Sequence, residues 1–357
     1  MGNRAANEGR TDFLVVGQGL AGSLLALELE SGGASATVVD SPLPYSSSKV
    51  AAGIINPVTG KRLATSPDFG EYKDYASKRY RELEGILGTQ FYRETRVLRI
   101  LKDDKELAVY EKRNAEEAAR LWLGELHPSG SFGSNLADPY GSFEILGAAT
   151  LDTVKFLQAT RSWLQAQGCL SQEVFRHEDL IPDRNHVSWG GRDYGCAIFC
   201  EGYRIRDNPW FRHCPMELAA GEIQTIRTMA SLPQGILNAG KWLRPAGAAE
   251  TYLAGSTYRW EGLESPPSQD GLEEMQQGLG KFLAAPYEVL DRQTGIRPVS
   301  KDRKPIMGRH PEHPCLAVLN GLGSKGSLLA PLLAHNLASH LQGVGRLMPG
   351  TEVSRFS

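Results

Sequence analysis

The chain has 357 residues, 41% of them hydrophobic and 22% charged, and its formal net charge is −2 at neutral pH. This length predicts roughly two domains of ~150 residues each and a sizeable buried core. The near-neutral balance gives no electrostatic reason to expect nucleic acid or an anionic membrane as a partner, which leaves a small molecule.

Arg4 and Arg10 precede an apolar stretch over residues 13–29, an arrangement a secretory leader would share. Gly17, Gln18, Gly19, Gly22 and Glu28 interrupt the stretch. It is therefore a poor membrane span, which needs ~20 apolar residues. The same residues support another reading. Residues 13–16 (FLVV) suit a buried parallel strand. Gly17-Gln18-Gly19-Leu20-Ala21-Gly22 then opens a helix that stops at Gly32-Gly33. The run ATVVD is a second strand, and it ends in Asp40, about twenty residues after the glycines. Strand, glycine turn, helix, strand and acid in this order form a dinucleotide-binding βαβ unit.

Each residue of the motif has a physical task. Gly17 permits the tight turn, Gly19 lets the backbone approach a pyrophosphate, and Gly22 lets the helix pack close to the sheet. Leu20 and Ala21 begin the helix, whose free N–H groups and positive dipole end face the phosphates. Asp40 accepts hydrogen bonds from ribose hydroxyls, and its charge disfavours a 2′-phosphate. The plain alternative is a tight turn without a ligand.

Further along, residues 46–57 (SSSKVAAGIINP) form a run of small side chains. Residues 71–87 and 104–123 read as amphipathic helices, 91–101 as a strand entering a second domain, and 151–167 as another helix. Residues 193–200 read as a buried strand. Cys169, Cys196, Cys200, Cys214 and Cys315 are odd in number and form no CxxC pair, which argues against a disulfide framework and a zinc ribbon. A reducing cytoplasm is the default compartment. Residues 216–230, 241–245 and 250–258 read as antiparallel strands, followed by a turn at 262–271 and a helix near 272–284. His310 and His313 flank a proline that breaks any helix aligning them, so they read as a surface turn and no metal site is expected. His335 and His340 read as packing or surface residues.

The chain closes with a strand (CLAVLN), a glycine turn at 320–327 and an apolar helix. Both ends of the chain thus offer backbone donors at a helix start. A large cofactor would use both: the pyrophosphate at one, and at the other a group that gains negative charge. Reduced flavin carries such charge around N1 and the C2 oxygen. A glycine-rich connector is the plain reading of the second turn.

VVGQGLAGS, SKVAAGIINP, AIFCEGY, TGIRPVSKDRKPIMGRHPEHP and NGLGSKGSLLAP together span residues 12 to about 340. This set resembles the D-amino-acid-oxidase-type family of FAD-dependent oxidoreductases. That family includes glycine oxidase, sarcosine oxidase and the flavin domain of a bifunctional tRNA-modification enzyme. The first and the last two pieces are the most specific. The resemblance implies an α/β fold, with a Rossmann-like FAD-binding domain and an inserted antiparallel-sheet substrate domain. The FAD-binding domain is expected over 10–75, 145–205 and 286–357, and the substrate domain over 76–144 and 206–285.

The resemblance also implies roles for particular residues. Gly17, Gly19, Gly22 and Asp40 hold the ADP half of FAD. Ser48, Lys49, Ala52, Gly53 and Ile54 lie against the isoalloxazine ring. An adenine-contacting backbone is expected near Val174 or Phe175, and Glu201 and Gly202 flank the dinucleotide, with the glutamate a departure from the family pattern. Gly321, Gly323, Ser324, Lys325, Gly326 and Ser327 meet the pyrimidine edge of the flavin. Arg297 matches a substrate arginine, and its guanidinium suits a carboxylate gripped by two parallel hydrogen bonds. A structural salt bridge is the other role open to it. Trp242 and Tyr258 fall where substrate-lining aromatics are placed, although plain packing would account for either. The histidine–aromatic–arginine run of glycine-oxidase-like members is replaced here by Leu322-Gly323-Ser324-Lys325, and the cysteine motif for covalent flavin attachment is not evident.

The implied function is oxidation of a C–N bond of a small amine or amino acid by hydride transfer to the N5 atom of non-covalent FAD. Oxygen or another acceptor takes the electrons, and neither nucleic acid nor a membrane takes part. The alternatives are a relative of the tRNA-modifying flavin domain acting on a modified nucleotide, and a non-catalytic FAD-binding protein.

Overall fold

A computed structural model describes residues 10–356. Arg4, weighed above as part of a leader, lies outside them. The strand Arg10–Val16 leads into the helix Leu20–Ser31 and then the strand Ala36–Val39, as the glycine motif predicts. The two strands pair in parallel. On its other side the first strand pairs in parallel with Arg192–Phe199, which pairs in turn with Leu316–Asn320. Leu170–Ser171 extends the sheet beyond the second strand. Three short antiparallel strands complete an eight-stranded sheet.

Both faces of this sheet are covered. The helix Leu20–Ser31 is buried along almost its whole length, which explains why it is apolar all round instead of striped. It packs against the C-terminal helix Gly326–Leu341, and both join the sheet in one large apolar core. A second core, built around Val16, Val39, Phe199 and Phe211, fills the opposite face. Glu28, buried on the first helix, is neutralised by Arg79 at 2.5 Å and contacts His335 at 3.0 Å. His335 is thus a surface residue that hydrogen-bonds Glu28.

The second sheet has nine strands and one parallel pair, Ile236–Asn238 with Tyr92–Ile100. Its other pairings are antiparallel, and the longest joins Met216–Arg227 to Glu288–Ser300. Ser142–Leu151 and Glu288–Ser300 both belong to this second sheet. Strand pairing between residues this far apart leaves no local mark. The single helix expected over 104–123 is two helices, Asp104–Asn114 and Glu117–Arg120, followed by a strand that starts at Leu123. His310 is buried, and its Nδ1 accepts the backbone N–H of Glu312 and His313, which orders the turn. Cys196, Cys200, Cys214 and Cys315 are free thiols. Among the described residues, no helix is long and apolar enough to cross a membrane.

Arg99 and Glu106 form a buried ion pair at the join of Tyr92–Ile100 and the following helix. Glu106 also accepts the backbone N–H of Lys102 at 3.0 Å, and Arg99 donates to Asn238 Oδ1 at 2.6 Å. Glu106→Ala leaves the guanidinium buried without its counter-charge, so a stability loss of about 3 kcal/mol is expected. Urea unfolding followed by circular dichroism measures it, and a loss below about 1 kcal/mol would show that water reaches the pair.

Candidate active site

A cleft of about 460 Å³ opens between the two sheets and is lined by both. One end is the glycine turn, where Gly17, Gly19, Leu20, Ala21 and Asp40 border the space. Gly17 has φ +99°, and a Cβ there would lie 2.7 Å from the Cys200 carbonyl oxygen. A Cβ on Gly22 would lie 1.9 Å from the Gly17 carbonyl oxygen. Gly22 therefore acts from behind the cleft, by letting the helix start sit on the strand end. No side chain caps that helix within the motif. The Leu20 N–H donates to Ser48 Oγ at 3.0 Å, which ties the turn to the small-residue segment.

Asp40 is oriented on both oxygens. Its Oδ1 accepts the Gln18 N–H at 2.9 Å, and its Oδ2 accepts from Arg161 Nη1 at 3.0 Å. The same Nη1 donates to Gln18 Oε1 at 2.8 Å. The sequence reading did not single out Arg161, because its partners lie more than a hundred residues earlier. A second lone pair on each Asp40 oxygen is left for ribose hydroxyls.

Ser48, Lys49, Ala52, Gly53 and Ile54 border the middle of the cleft. A Cβ on Gly53 would lie 1.8 Å from the Leu151 carbonyl oxygen, so only glycine lets this segment lie flat on the second sheet. Glu201 and Gly202 also border the cleft. The Glu201 carboxylate is already engaged, by His177 Nε2 and Asn208 Nδ2, both at 2.8 Å. Cys200 lines the same region, and burial pushes its thiol far above the ordinary cysteine range. It remains protonated and unsuited to covalent attachment of a cofactor.

At the other end, Gly323, Ser324, Lys325, Gly326 and Ser327 border the cleft, while Gly321 does not. Gly321 has φ +74° and turns the chain out of its strand. Lys325 Nζ donates to Ser66 Oγ at 3.0 Å, and burial lowers the ammonium pKa. Val174 and Phe175 are not among the residues of the cleft. Val174 is exposed, and Phe175 packs in the second core beside Trp189 and Phe199.

The third wall comes from the second sheet. Arg297 lies on Glu288–Ser300 and reaches across Gly221 of the neighbouring strand, where a Cβ would lie 2.3 Å from Nη2. That Nη2 donates to Ser256 Oγ at 2.9 Å, and the guanidinium carbon sits 4.6 Å from the Tyr258 ring centre. Nη1 is buried and has no partner among the described residues. Burial lowers the Arg297 pKa, and the Tyr258 hydroxyl works the other way. Arginine stays charged under such a shift. Trp242 lies over Gly255, where a Cβ would be 2.3 Å from the indole. Gly221 and Gly255 are sites the sequence reading missed, and their signal was glycine inside a strand. Among the described residues, no group of three or more His, Cys, Asp and Glu side chains is arranged to hold a metal.

A turn stripped of Cβ atoms, an uncapped helix start, a fixed acid and a second glycine loop at the far end fit an extended dinucleotide such as FAD. They would hold the pyrophosphate, the ribose and the ring system respectively.

Comparison with known proteins agrees. The family model for DAO, described as FAD dependent oxidoreductase, matches residues 12–340. Glycine oxidase from Geobacillus kaustophilus superposes with a TM-score of 0.80 at 20% identity, covering 98% of each chain. Iminodiacetate oxidase from Chelativorans sp. BNC1 superposes with a TM-score of 0.78 at 21% identity, covering 97% of this chain and 98% of that one. At such identities the likeness is one of fold. The tRNA 5-methylaminomethyl-2-thiouridine biosynthesis bifunctional protein MnmC of Actinobacillus pleuropneumoniae serotype 5b (strain L20) is 23% identical over 376 residues, covering 92% of this chain and 55% of that protein. The chain therefore spans about half the length of that relative.

Gly22→Val is expected to abolish flavin retention, read as loss of the visible absorbance of the purified protein. Arg161→Ala, on a solvent-facing side of its helix, is expected to weaken FAD affinity about tenfold by freeing Asp40. A flavin-release titration checks this, and unchanged affinity would show that Asp40 needs no such clamp.

Proposed function

This chain belongs to the FAD-dependent oxidoreductase family of the D-amino-acid-oxidase type, and we propose that it oxidises a C–N bond in an amine that carries a carboxylate. The observation that supports this reading is the Arg297 guanidinium, buried at the cleft with Nη1 lacking a partner. Leaving such a donor unpaired costs ~1–3 kcal/mol, which an anionic ligand recovers.

FAD, when bound, supplies the two-electron acceptor. The protein supplies position. Arg297 holds the carboxylate, with Ser256 and Tyr258 fixing the plane of the guanidinium. Trp242 closes the adjacent wall and limits water. The reacting nitrogen must arrive as the neutral amine, since its lone pair drives formation of the C=N bond. Water then hydrolyses the imine to a carbonyl compound and a free amine. No side-chain base is required for this route, in keeping with a wall made of an arginine and aromatics. Lys325 and the start of the last helix place positive potential at the far end of the cleft, where charge gained on reduction is stabilised.

A second reading takes the amine as part of a modified nucleotide. It is favoured by the match to the tRNA-modifying relative over 92% of this chain.

Anaerobic addition of N-alkyl glycines and amino acids to the purified holoprotein tests the proposal. Bleaching of the flavin spectrum by a carboxylate-bearing amine is the expected result. Arg297→Met is expected to lower kcat/KM about 100-fold, mostly through KM, and Arg297→Lys to recover only part of it. Equal kcat/KM in the wild type and Arg297→Met would remove the arginine from the reading.

A further inference from the structure

The segment after the strand Thr251–Gly255 carries the run Thr257-Tyr258-Arg259-Trp260 along the rim of the cleft. Its backbone is fixed. Ala220 N–H donates to the Arg259 carbonyl at 2.8 Å, and Arg259 N–H returns to Ala220 at 2.9 Å. Such pairing alternates side chains between two faces. Arg259 points one way and is anchored by Ser265, with the buried Glu222 carboxylate 3.9 Å away. Tyr258 and Trp260 point the other way, stacked at 24° with ring centres 6.2 Å apart. They are 53% and 69% exposed, although large aromatic side chains ordinarily bury most of their surface. The inner ring of the pair lies over Arg297 and borders the cleft. A cation, a ring and a second ring thus lead outward from the carboxylate grip to solvent.

We propose that Tyr258 and Trp260 form a stacking platform for a planar ring carried on the nitrogen substituent of the substrate. This rests on the amine reading above and narrows it. The carboxylate lies at Arg297, the nitrogen is held inside, and the remainder of the molecule leaves along the rim. A ring there covers apolar surface that the protein otherwise leaves wet. Glycine or sarcosine is too short to touch it.

The ring has two sources, a free arylalkyl amino acid or a base within RNA. The neighbouring turn bears on this choice. Lys241 Nζ donates to the Ser256 carbonyl at 2.7 Å, and Lys102 Nζ lies against Gly240 beside it. Lys61 and Lys281 are near enough for their charges to act on Lys102. Lys61, Lys102 and Lys281 are exposed and form no ion pair among the described residues.

The test uses the holoprotein with sarcosine and N-benzylglycine. The expected result is a higher kcat/KM for the benzyl compound. In Trp260→Ala the ratio of the two falls about tenfold or more, and Trp260→Phe restores it. Equal ratios in the wild type and Trp260→Ala would overturn the proposal. Phenylacetate supplies a readout without turnover, by perturbing the flavin spectrum at a concentration that rises about tenfold in Trp260→Ala. If neither amine bleaches the flavin, the amine reading fails, and the phenylacetate titration alone decides the platform. Inhibition of benzylglycine oxidation by a short single-stranded RNA, relieved by salt, assigns the ring to a nucleic acid. No inhibition by the RNA assigns it to a free amino acid.

Discussion

A Cβ atom on Gly22 would lie 1.9 Å from the Gly17 carbonyl oxygen, and the packing of the first sheet depends on its absence. That close approach seats the helix start directly on the strand end. It brings the first-turn N–H groups to the cleft and drives the apolar flank of Leu20–Ser31 into the core shared with the C-terminal helix. One missing methyl group therefore serves both stability and ligand reach. The same device recurs wherever the cleft needs backbone or a ring to come close. Gly53 lays the small-residue segment on the second sheet, Gly221 admits the guanidinium of Arg297, and Gly255 admits the indole of Trp242.

Charge inside the protein follows a different rule. Glu28 is met by Arg79, Glu222 by Arg292, and Glu106 by Arg99. Each of these three buried carboxylates has its cation, whereas the buried Asp138 accepts only the Gly130 N–H. Arg297 does not follow the rule. Its neighbours are a hydroxyl and an aromatic face, which hold the guanidinium in place without neutralising it. Folding has accepted a desolvated positive charge at the edge of an open space. The open space beside it is where the carboxylate proposed above would be held by paired hydrogen bonds. Arg244 is another buried arginine without a carboxylate at contact distance, but it lies away from the cleft and donates to a backbone carbonyl instead.

The parts of this arrangement that were legible in the sequence are those made by neighbours in the chain. The turn at Gly17–Gly22 with its acid, and the loop around Gly323–Ser327, are local devices whose spacing carries their meaning. Arg297 was legible by its motif, and its burial and its hold on Ser256 were not. What escaped was non-local. Arg161 clamps Asp40 from a helix far along the chain, and nothing in residues near 161 announces it. Ser142–Leu151 is a strand rich in small residues, without the β-branched run that marks one. Its pairing with Tyr92–Ile100, rather than its composition, makes it a strand. An adenine contact made through backbone, as expected near Val174 or Phe175, has no side-chain signature to count from.

The net charge of −2 describes the chain as a whole and not any one site on it. At physiological salt, charges are screened beyond ~8 Å, so a ligand at the cleft mouth feels the side chains around it and little of the chain total. Much of the acidic count is spent in pairs with arginines, such as Glu264 with Arg206 and Asp302 with Arg355. Lys61, Lys102 and Lys281 form no such pair among the described residues, whereas Lys241 pairs with Glu274. A neutral protein can therefore present a positive rim, provided its acids are consumed elsewhere. The turn bearing Gly240 and Lys241 lies against the residue that precedes Thr257 and Tyr258, which brings it next to the exposed aromatic pair. Strand order places the cations and the rings side by side, and composition is blind to strand order.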